Sequence, residues 1–376
     1  MESRRLVNEN LHASLLGLGC MRMPVDSDGE LIEQEAIDLI RHAIDSGVTY
    51  IDTAYGYHGG KSETVVGKAL KDGSREKVLV ATKLPGWKCE TEEDMERIFS
   101  EQLERLELDS VDFYLLHSLY DELWQKLLKL NVHRFLDRLL KEGRVRYVGF
   151  SFHDEFPVFK EILESRHWDV CQIQYNLLDE DYQAGQAGIE LAKEKKVDVI
   201  VMEPLRGGAL ATKVPADIKK PWAKSERDYS PVEWAFRFVA KEDQVKVILS
   251  GMSDKAQVDE NVRIFRALSE TPLSERDMAT IRQVQERYKE KIKVHCTSCE
   301  YCLPCPQQVA IPRIFSLYNN VYLFDDLDRS QEGYEKLIEE AIDQSKCIAC
   351  GICQTKCPQH LEIIEGLIDA DQVLRL

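Results

Sequence analysis

The sequence predicts an α/β fold, a (β/α)8 barrel followed by a smaller, mainly helical region, and three observations support it. From residue 15 to about residue 251, short apolar runs rich in β-branched residues alternate with amphipathic helical stretches, which is typical of a parallel sheet. The apolar runs number eight in about 250 residues, which is the count of a (β/α)8 barrel. Beyond them, eight cysteines in two quartets fall within the last fifth of the chain.

The eight predicted strands follow one another along the chain at residues 15–19, 49–54, 77–83, 111–117, 145–151, 170–176, 197–204 and 246–251. Helical stretches separate them, and those at 33–47 and 61–73 end in Gly47 and Gly73, a common way for a helix to terminate. The strands are almost continuously apolar, as expected when a parallel sheet is covered by helices. An open doubly wound sheet is the alternative, although no G-x-G-x-x-G motif follows the first strand to form a Rossmann dinucleotide site.

The C-terminal part of the chain is predicted to form a separate domain. We expect the barrel to occupy residues 1–272, a bridging helix residues 273–294, and the cysteine-rich domain residues 295–376. Within that domain, apolar residues at helical spacing predict one helix that starts at Pro312 and a second over residues 331–344. This plan suits 376 residues, which are too many for one ordinary domain.

Composition and charge exclude some classes of partner. The net charge of −17 argues against nucleic acid and against an anionic membrane surface, because both attract basic proteins. The N-terminal stretch MESRRLVNEN has no apolar signal-peptide region, and no run of about 20 apolar residues appears anywhere. We therefore expect a cytoplasmic protein that does not enter a membrane.

The two cysteine quartets are the most specific motif in the sequence. The second has the C-x2-C-x2-C-x3-C-P spacing of bacterial two-cluster ferredoxins, whose thiolates hold 4Fe-4S clusters. The first is one residue shorter before its last cysteine. Two 4Fe-4S clusters are therefore predicted, and the ligands are Cys296, Cys299, Cys302 and Cys305 from the first quartet and Cys347, Cys350, Cys353 and Cys357 from the second.

Zinc ribbons and disulfides are the alternatives for these cysteines. Zinc also takes four nitrogen or sulfur ligands, but runs of three cysteines closed by a proline favour a cluster. Disulfides do not suit a reducing cytosol. Because the fourth cysteine of a two-cluster ferredoxin serves the other cluster, Cys305 is expected to join the second quartet and Cys357 the first.

Four ionisable residues follow three neighbouring predicted strands, where barrel enzymes carry their chemistry. The second strand ends in Asp52 and runs into Tyr57, Lys83 ends the third and His117 ends the fourth. A phenol with a pKa of about 10 is a weak acid at neutral pH, and an adjacent ammonium lowers that pKa. Each residue alone also has a structural explanation, as a helix cap, a packed ring, a solvated strand end or a core histidine. Together they predict a proton-donor site.

At these residues the chain resembles the aldo-keto reductase superfamily, over roughly residues 5–270. The matching stretches are YIDTAYGY around Asp52 and Tyr57, ATK at Lys83, LLH at His117, GRVRYVGFS ending at Ser151, QIQYN from Gln172 and PLRGG from Pro204. The resemblance implies a barrel that binds a nicotinamide dinucleotide, NADP or NAD, and transfers hydride to an aldehyde or ketone. It also implies that Tyr57 is the acid, that Lys83 and Asp52 tune it, and that His117 orients the substrate.

The resemblance further implies a set of coenzyme contacts. Ser151 and Gln172 would bind the carboxamide, and Met202 takes the position where relatives stack a tyrosine on the nicotinamide. The remaining contacts belong to the pyrophosphate and adenine, and they are Pro204, Leu205, Gly207, Gly208, Glu260 and Asn261.

The sequence departs from the family pattern at the coenzyme positions. Phe152 replaces an asparagine that touches the carboxamide in many relatives. Gly251, Met252 and Gln257 stand where NADP-dependent relatives bind the 2'-phosphate with Lys, Ser and Arg. Because a 2'-phosphate calls for Arg or Lys, we expect a weakened NADP preference, with NAD(H) or either coenzyme in use.

Joining clusters to a hydride-transfer barrel raises a conflict, because hydride carries two electrons and a cluster moves one at a time. The clusters are structural or redox-sensing, or they exchange electrons with a partner protein through a flavin, or the barrel no longer transfers hydride. No flavin motif is evident, although the altered coenzyme positions leave room for one. An electron-transfer protein whose barrel docks a redox partner is the non-enzyme alternative.

The predicted substrate is a small carbonyl compound. Five residues either line its pocket or pack the loops, and they are Met21, Met23, Trp87, Tyr120 and Trp124.

Overall fold

The computed structural model describes residues 1–7, 11–71, 73–296, 301–357 and 359–376. It divides into two compact units, Met1–Leu205 with Glu233–Leu273, and Arg206–Val232 with Ser274–Leu376. The second unit also takes in residues 206–232, which lie within the range expected for the barrel. The domain boundaries expected from the sequence stay a prediction. Within the described residues, every helix falls short of the length and apolarity that a membrane span needs.

Eight parallel strands close into a barrel in the first unit, which confirms the predicted fold. Ten strands are described in all: Ser3–Leu6 (β1), Leu11–Ser14 (β2), Leu16–Gly19 (β3), Tyr50–Asp52 (β4), Leu79–Leu84 (β5), Val111–Leu119 (β6), Val145–Phe152 (β7), Val170–Gln174 (β8), Asp198–Met202 (β9) and Val245–Ser250 (β10). The barrel runs from β3 to β10 in sequence order, and β10 pairs with β3 to close it. Each barrel strand lies within two residues of the predicted start, and the C-terminal ends therefore form one rim.

The strands of the barrel are buried because side chains pack on both of their faces. All six residues of β5 and all five of β8 are buried. Strands β7 and β8 approach each other closely at Gly149, where an added Cβ would lie 2.4 Å from the carbonyl oxygen of Val170. Only glycine fits this contact without moving the backbone.

A short antiparallel hairpin of β1 and β2 precedes the barrel, and the sequence did not predict it. Leu6 and Ala13 of the hairpin are buried in one apolar cluster with Tyr50 and Leu79, the first residues of β4 and β5. The hairpin therefore packs against the N-terminal end of the barrel. Its strands are four residues long and carry little apolar alternation, which leaves no clear strand signal in the sequence.

Sixteen α-helices are described: Glu33–Asp45 (α1), Ser62–Ala69 (α2), Glu92–Leu106 (α3), Asp121–Lys129 (α4), Val132–Lys141 (α5), Phe156–Glu164 (α6), Gly185–Lys195 (α7), Ala209–Thr212 (α8), Ala216–Ala223 (α9), Pro231–Ala240 (α10), Lys255–Ala267 (α11), Glu275–Lys291 (α12), Ile311–Phe324 (α13), Leu327–Glu339 (α14), Ile352–Lys356 (α15) and Ile363–Leu374 (α16). Helix α1 ends near Gly47, which adopts the predicted left-handed conformation with φ of 103°. Helix α12 begins with a capping box between Ser274 and Asp277.

Helices α13, α14 and α16 form the core of the second unit. Helix α13 coincides with the predicted segment and carries Pro312 in its first turn. The prediction for α14 was wrong at both ends, because the helix runs from Leu327 to Glu339 and not over 331–344. Ala341 turns into the left-handed region with φ of 56°, and the Ile342 N–H donates back to the Leu337 carbonyl, which ends the helix early.

Candidate active site

A buried lysine lies at the centre of the barrel rim. Lys83, near the end of β5, donates from Nζ to Asp52 Oδ1 at 2.6 Å and to the Thr53 carbonyl oxygen at 2.8 Å. Asp52 ends the neighbouring strand β4, so the pairing of two parallel strands brings the two side chains together. Lys83 is 0% exposed and Asp52 is 2% exposed. An ion pair this deeply buried is held by its hydrogen bonds, since neither charge has water around it.

Tyr57 and His117 lie beside this ion pair. The Tyr57 hydroxyl is 3.5 Å from Lys83 Nζ, and Tyr57 starts a short 3-10 turn, Tyr57–Gly60, that follows β4. The His117 ring meets the Tyr57 ring edge-on with 5.8 Å between ring centroids, and Trp87 lies 5.2 Å from His117 on the same measure. The structure therefore brings together all four residues of the predicted proton-donor site.

Burial dominates the electrostatics of these groups. Burial raises the pKa of Tyr57, and the Lys83 charge opposes that rise without cancelling it. Burial likewise raises the pKa of Asp52 against the opposing charge of Lys83. Burial alone would lower the pKa of Lys83, but the adjacent Asp52 carboxylate raises it above the ordinary value. Tyr57 therefore keeps its proton and Lys83 its charge at neutral pH.

His117 is held neutral. Burial, assisted by the Lys83 charge, lowers the pKa of His117 to about 3. Its Nδ1 atom is buried and has no hydrogen-bond partner among the described residues. A neutral imidazole with a free ring nitrogen beside Tyr57 can exchange a hydrogen bond with a polar ligand.

Two further rim residues have the chemistry that a carboxamide needs. Gln172 of β8 keeps its Oε1 atom buried without a partner in the described residues, and its Nε2 contacts Met202 Sδ at 3.6 Å. Ser151 of β7 is buried, and its Oγ accepts from the Ser118 N–H at 2.7 Å. An orphaned buried acceptor is costly unless a ligand donates to it. The residues present therefore fit the amide end of a nicotinamide.

The other predicted coenzyme residues are spread over both compact units. Pro204 is buried and Leu205 half-buried after β9, in the first unit. Gly207 and Gly208 belong to the second unit and adopt φ of 66° and 92°. On α11, Asn261 is buried and donates from Nδ2 to Ser250 Oγ at 3.1 Å, whereas Glu260 is exposed.

The predicted pocket residues separate into two groups. Trp124 and Met23 are buried, at 0% and 2% exposure, so packing accounts for both. Met21, Trp87 and Tyr120 are exposed on the loops that follow barrel strands. Trp87 also contacts His117, so it borders the proton-donor site.

A buried network beneath Lys83 was not predicted from the sequence. Gln102 of α3 donates from Nε2 to the Lys83 carbonyl oxygen at 3.0 Å and to Glu63 Oε1 at 2.7 Å. Thr82 also donates to Glu63 Oε1, at 2.6 Å. These contacts fix the backbone of β5 at Lys83. The sequence signal that could have predicted this network was Glu63, a charged residue on the face of α2 that packs inward.

In the second unit, five cysteines line one cavity. They are Cys302, Cys305, Cys347, Cys350 and Cys353. Ile311 and Leu367 supply apolar lining, which excludes water in the way that tunes a cluster. Four of the five make up the crossed set that was expected for one cluster, so these residues fit a 4Fe-4S group.

The remaining cysteines are distributed as follows. Cys296 packs against the core of the second unit, Cys357 is buried in it, and Cys299 lies outside the described residues. Across the described ranges, no three histidine, cysteine or acidic side chains converge as a site for a single metal ion. In the barrel, Cys20 and Cys171 are buried as core packing, and burial raises the pKa of both thiols.

A closed parallel barrel with a lysine, an aspartate, a tyrosine and a histidine at its rim defines a (β/α)8-barrel oxidoreductase, here joined to a cysteine-rich domain. The chain belongs to the aldo/keto reductase family, which matches residues 15–286. Residues 295–362 match the 4Fe-4S dicluster domain. Both matches confirm the resemblance predicted from the motifs.

Known relatives agree with this assignment. The chain is 27% identical over 306 residues to the NADH-specific methylglyoxal reductase of Escherichia coli, covering 69% of this chain and 90% of the relative. The holo form of aldo-keto reductase AKR11C1 from Bacillus halodurans is 28% identical with a TM-score of 0.65, covering 76% of this chain and 96% of that one. An aldo-keto reductase from Klebsiella pneumoniae in complex with NADPH, 23% identical, shares the fold with a TM-score of 0.61 over 76% of this chain and 96% of that one.

Proposed function

We propose that this protein reduces an aldehyde or ketone, or oxidises the corresponding alcohol, with Tyr57 as the general acid. The observation that carries the proposal is the Tyr57 hydroxyl, 3.5 Å from a lysine that is buried with its aspartate partner. A nicotinamide dinucleotide, when bound, supplies the hydride. The carbonyl oxygen takes its proton from Tyr57, and the Lys83 ammonium stabilises the phenolate that remains.

The neighbouring residues have supporting roles in this proposal. Asp52 keeps Lys83 charged and aimed at Tyr57, because it accepts a hydrogen bond from Nζ at 2.6 Å. His117 is neutral and offers a free ring nitrogen, so it orients the carbonyl oxygen by hydrogen bonding. Gln172 and Ser151 bind the carboxamide, which would satisfy the orphaned Gln172 Oε1.

The coenzyme is proposed to be NAD(H), or either coenzyme without strong selection. Gly251, Met252 and Gln257 provide no cation for a 2'-phosphate, and the Escherichia coli relative is by name NADH-specific. That name also supports a small carbonyl substrate. Titration of the purified chain with both coenzymes tests this, and tight, selective binding of NADPH would contradict it.

We further propose two 4Fe-4S clusters, the first held by Cys296, Cys299, Cys302 and Cys357 and the second by Cys305, Cys347, Cys350 and Cys353. The cavity shared by the second set supports that arrangement. The barrel is proposed to span residues 1–272, the bridging helix 273–294 and the cluster domain 295–376. A cytoplasmic location, a flavin and a redox partner stay predictions from the sequence.

The catalytic assignment is tested by Tyr57→Phe, which removes the proton donor and leaves the ring in place. We expect carbonyl reduction to fall by about 10²-fold or more, with iron content and coenzyme binding unchanged. Tyr55→Phe is the matched control, because Tyr55 donates to Glu101 at 2.8 Å on the helix α3 and has no place in the proposed chemistry. Turnover undiminished by Tyr57→Phe would overturn the assignment.

A further inference from the structure

The side chain of Arg22 crosses from one loop of the barrel rim onto the next. Arg22 follows β3, and Gly251 follows β10, which pairs with β3 through Leu18 and Ser250. A Cβ placed on Gly251 would lie 3.1 Å from both Cβ and Cδ of Arg22 and 3.2 Å from its Cγ. Three carbons of the arginine stem therefore lie directly across the glycine.

Arg22 and any side chain at position 251 would compete for the same space. Carbon atoms in good contact are about 3.5–4.0 Å apart, so at 3.1 and 3.2 Å the arginine stem would have to shift by a few tenths of an ångström. Gly251 thus makes room for a long cationic side chain that starts on the neighbouring strand. The observed position of the Arg22 side chain therefore depends on a glycine at position 251.

The charge at the end of that stem is available to a ligand. Arg22 is exposed, and its guanidinium has no hydrogen-bond or ion-pair partner among the described residues. A guanidinium is suited to binding carboxylate or phosphate oxygens through two N–H donors at once. At a barrel rim beside the eighth strand, an anion is the ligand expected for it.

Two of the other side chains at this corner, Gln257 and Met252, cannot substitute for Arg22. Gln257 is fully engaged, since its Nε2 donates to Asp254 Oδ2 at 2.8 Å and to Ser253 Oγ at 3.0 Å, and its Oε1 accepts from the Ser253 N–H at 3.0 Å. Met252 is buried and uncharged. Lys255, the exposed first residue of α11, is a second cation, and the N-terminal end of that 13-residue helix adds partial positive charge.

We infer that Arg22 binds a phosphate group of the nicotinamide dinucleotide, reaching it across Gly251 from the loop after β3. The inference rests on the proposed coenzyme and adds a binding residue that the family resemblance did not supply. Two phosphate sources share this chemistry, the pyrophosphate and the 2'-phosphate. They are distinguished by comparing NADH, which has only the first, with NADPH, which has both.

The test measures dissociation constants for NADH and NADPH on the full holoprotein by fluorescence titration. Arg22→Gln should weaken binding by about tenfold to a hundredfold, the effect of losing a charge-assisted hydrogen bond. A loss confined to NADPH would assign Arg22 to the 2'-phosphate, and an equal loss for both coenzymes would assign it to the pyrophosphate. Unchanged binding of both coenzymes by Arg22→Gln would overturn the inference.

Gly251→Ala supplies an independent second variant, because its Cβ would displace the arginine stem while leaving the charge in the chain. It should weaken binding alone but add nothing in the Arg22→Gln background, which a double-mutant cycle detects. Additive losses of binding free energy in the cycle would refute the proposal that the Arg22 side chain reaches the coenzyme across Gly251.

Lys61→Gln is the matched control, since Lys61 is an exposed cation already paired with Glu30. If the wild-type protein bound neither coenzyme, the proposed function itself would fail, which is a different result from wild-type binding with indifferent variants.

Discussion

The environment of His117 differs strongly from that of the same side chain in water. Burial and the Lys83 charge together lower its pKa to about 3, so the neutral ring is favoured across the physiological range. The sequence placed His117 at a strand end but could not reveal this neutrality. Neutrality depends on packing around the ring, including Trp87 and Tyr57, which come from other loops.

The lowered pKa of His117 predicts a pH dependence of stability. In the unfolded chain, His117 binds a proton below its ordinary pKa of about 6.5, whereas the folded protein resists that proton until about pH 3. The stabilisation is therefore present above pH 6.5 and is lost as the pH falls. From pH 6.5 to 5, wild type should lose up to about 2 kcal/mol more unfolding free energy than His117→Gln. Urea unfolding at both pH values checks this, and equal losses in the two proteins would refute it.

At the level of single residues, the sequence predicted correctly which side chains meet when those side chains lie at the ends of neighbouring barrel strands. Asp52 ends β4 and Lys83 lies one residue before the end of the adjacent parallel strand β5, so their meeting follows from topology alone. The support beneath Lys83 could not be predicted in the same way. Glu63 and Gln102 come from two separate helices, and their hydrogen bonds depend on how those helices pack on the barrel.

Among the elements, the contact between β7 and β8 shows how one residue sets the spacing of two strands. Gly149 faces the Val170 carbonyl so closely that a methyl group has no room. Side-chain movement cannot relieve this clash, because the blocking atom belongs to the backbone.

Gly149→Ala is accordingly expected to lower the unfolding free energy by about 1–3 kcal/mol, measured by urea denaturation. Gly56→Ala is the matched control, because a Cβ at Gly56 meets nothing within 4 Å and the backbone there is not left-handed. If the two substitutions had equal effects, the proposed steric limit at β7 would be wrong.

The two elements that the sequence missed or misplaced, the β1–β2 hairpin and the end of α14, have different physical causes. The β1–β2 hairpin has strands of four residues, too short for a periodic signal to emerge. The end of α14 is set by one residue with left-handed backbone, Ala341. Glycine or asparagine is the usual residue in that conformation, so an alanine does not predict the helix end. The barrel strands, by contrast, lie in almost continuously apolar stretches, and that pattern predicts a strand buried on both faces.

For the whole molecule, the chain combines a barrel proposed to transfer hydride, which carries two electrons, with clusters proposed to move one electron at a time. Lys83 belongs to the first compact unit, and the cysteine-lined cavity belongs to the second. The cysteine spacing identified the second chemistry from sequence alone. The role of the proposed clusters is tested by removing one of their ligands.

Cys350→Ala provides that experiment. Cys350 is exposed at the cavity, so replacing it removes a proposed ligand without opening a core, and about half of the bound iron should be lost. Iron analysis and carbonyl turnover are measured together: slowed turnover assigns the clusters to electron relay, and unchanged turnover to structure or sensing. Cys89→Ala, a buried thiol of the barrel, should keep all its iron. Unchanged iron in Cys350→Ala would contradict the ligand assignment.

The charged side chains of the barrel rim differ in burial, and they should therefore differ in how strongly they respond to the salt concentration of the solution. Ions of the solution screen an exposed charge over a Debye length of about 8 Å at physiological strength, but they do not enter a dry ion pair. Lys83 and Asp52 are sealed from water, whereas Arg22 is open to it. The proposed contact of Arg22 with the coenzyme is therefore expected to weaken as ionic strength rises, whereas the buried Lys83–Asp52 ion pair, and with it the proposed proton transfer from Tyr57, should respond little.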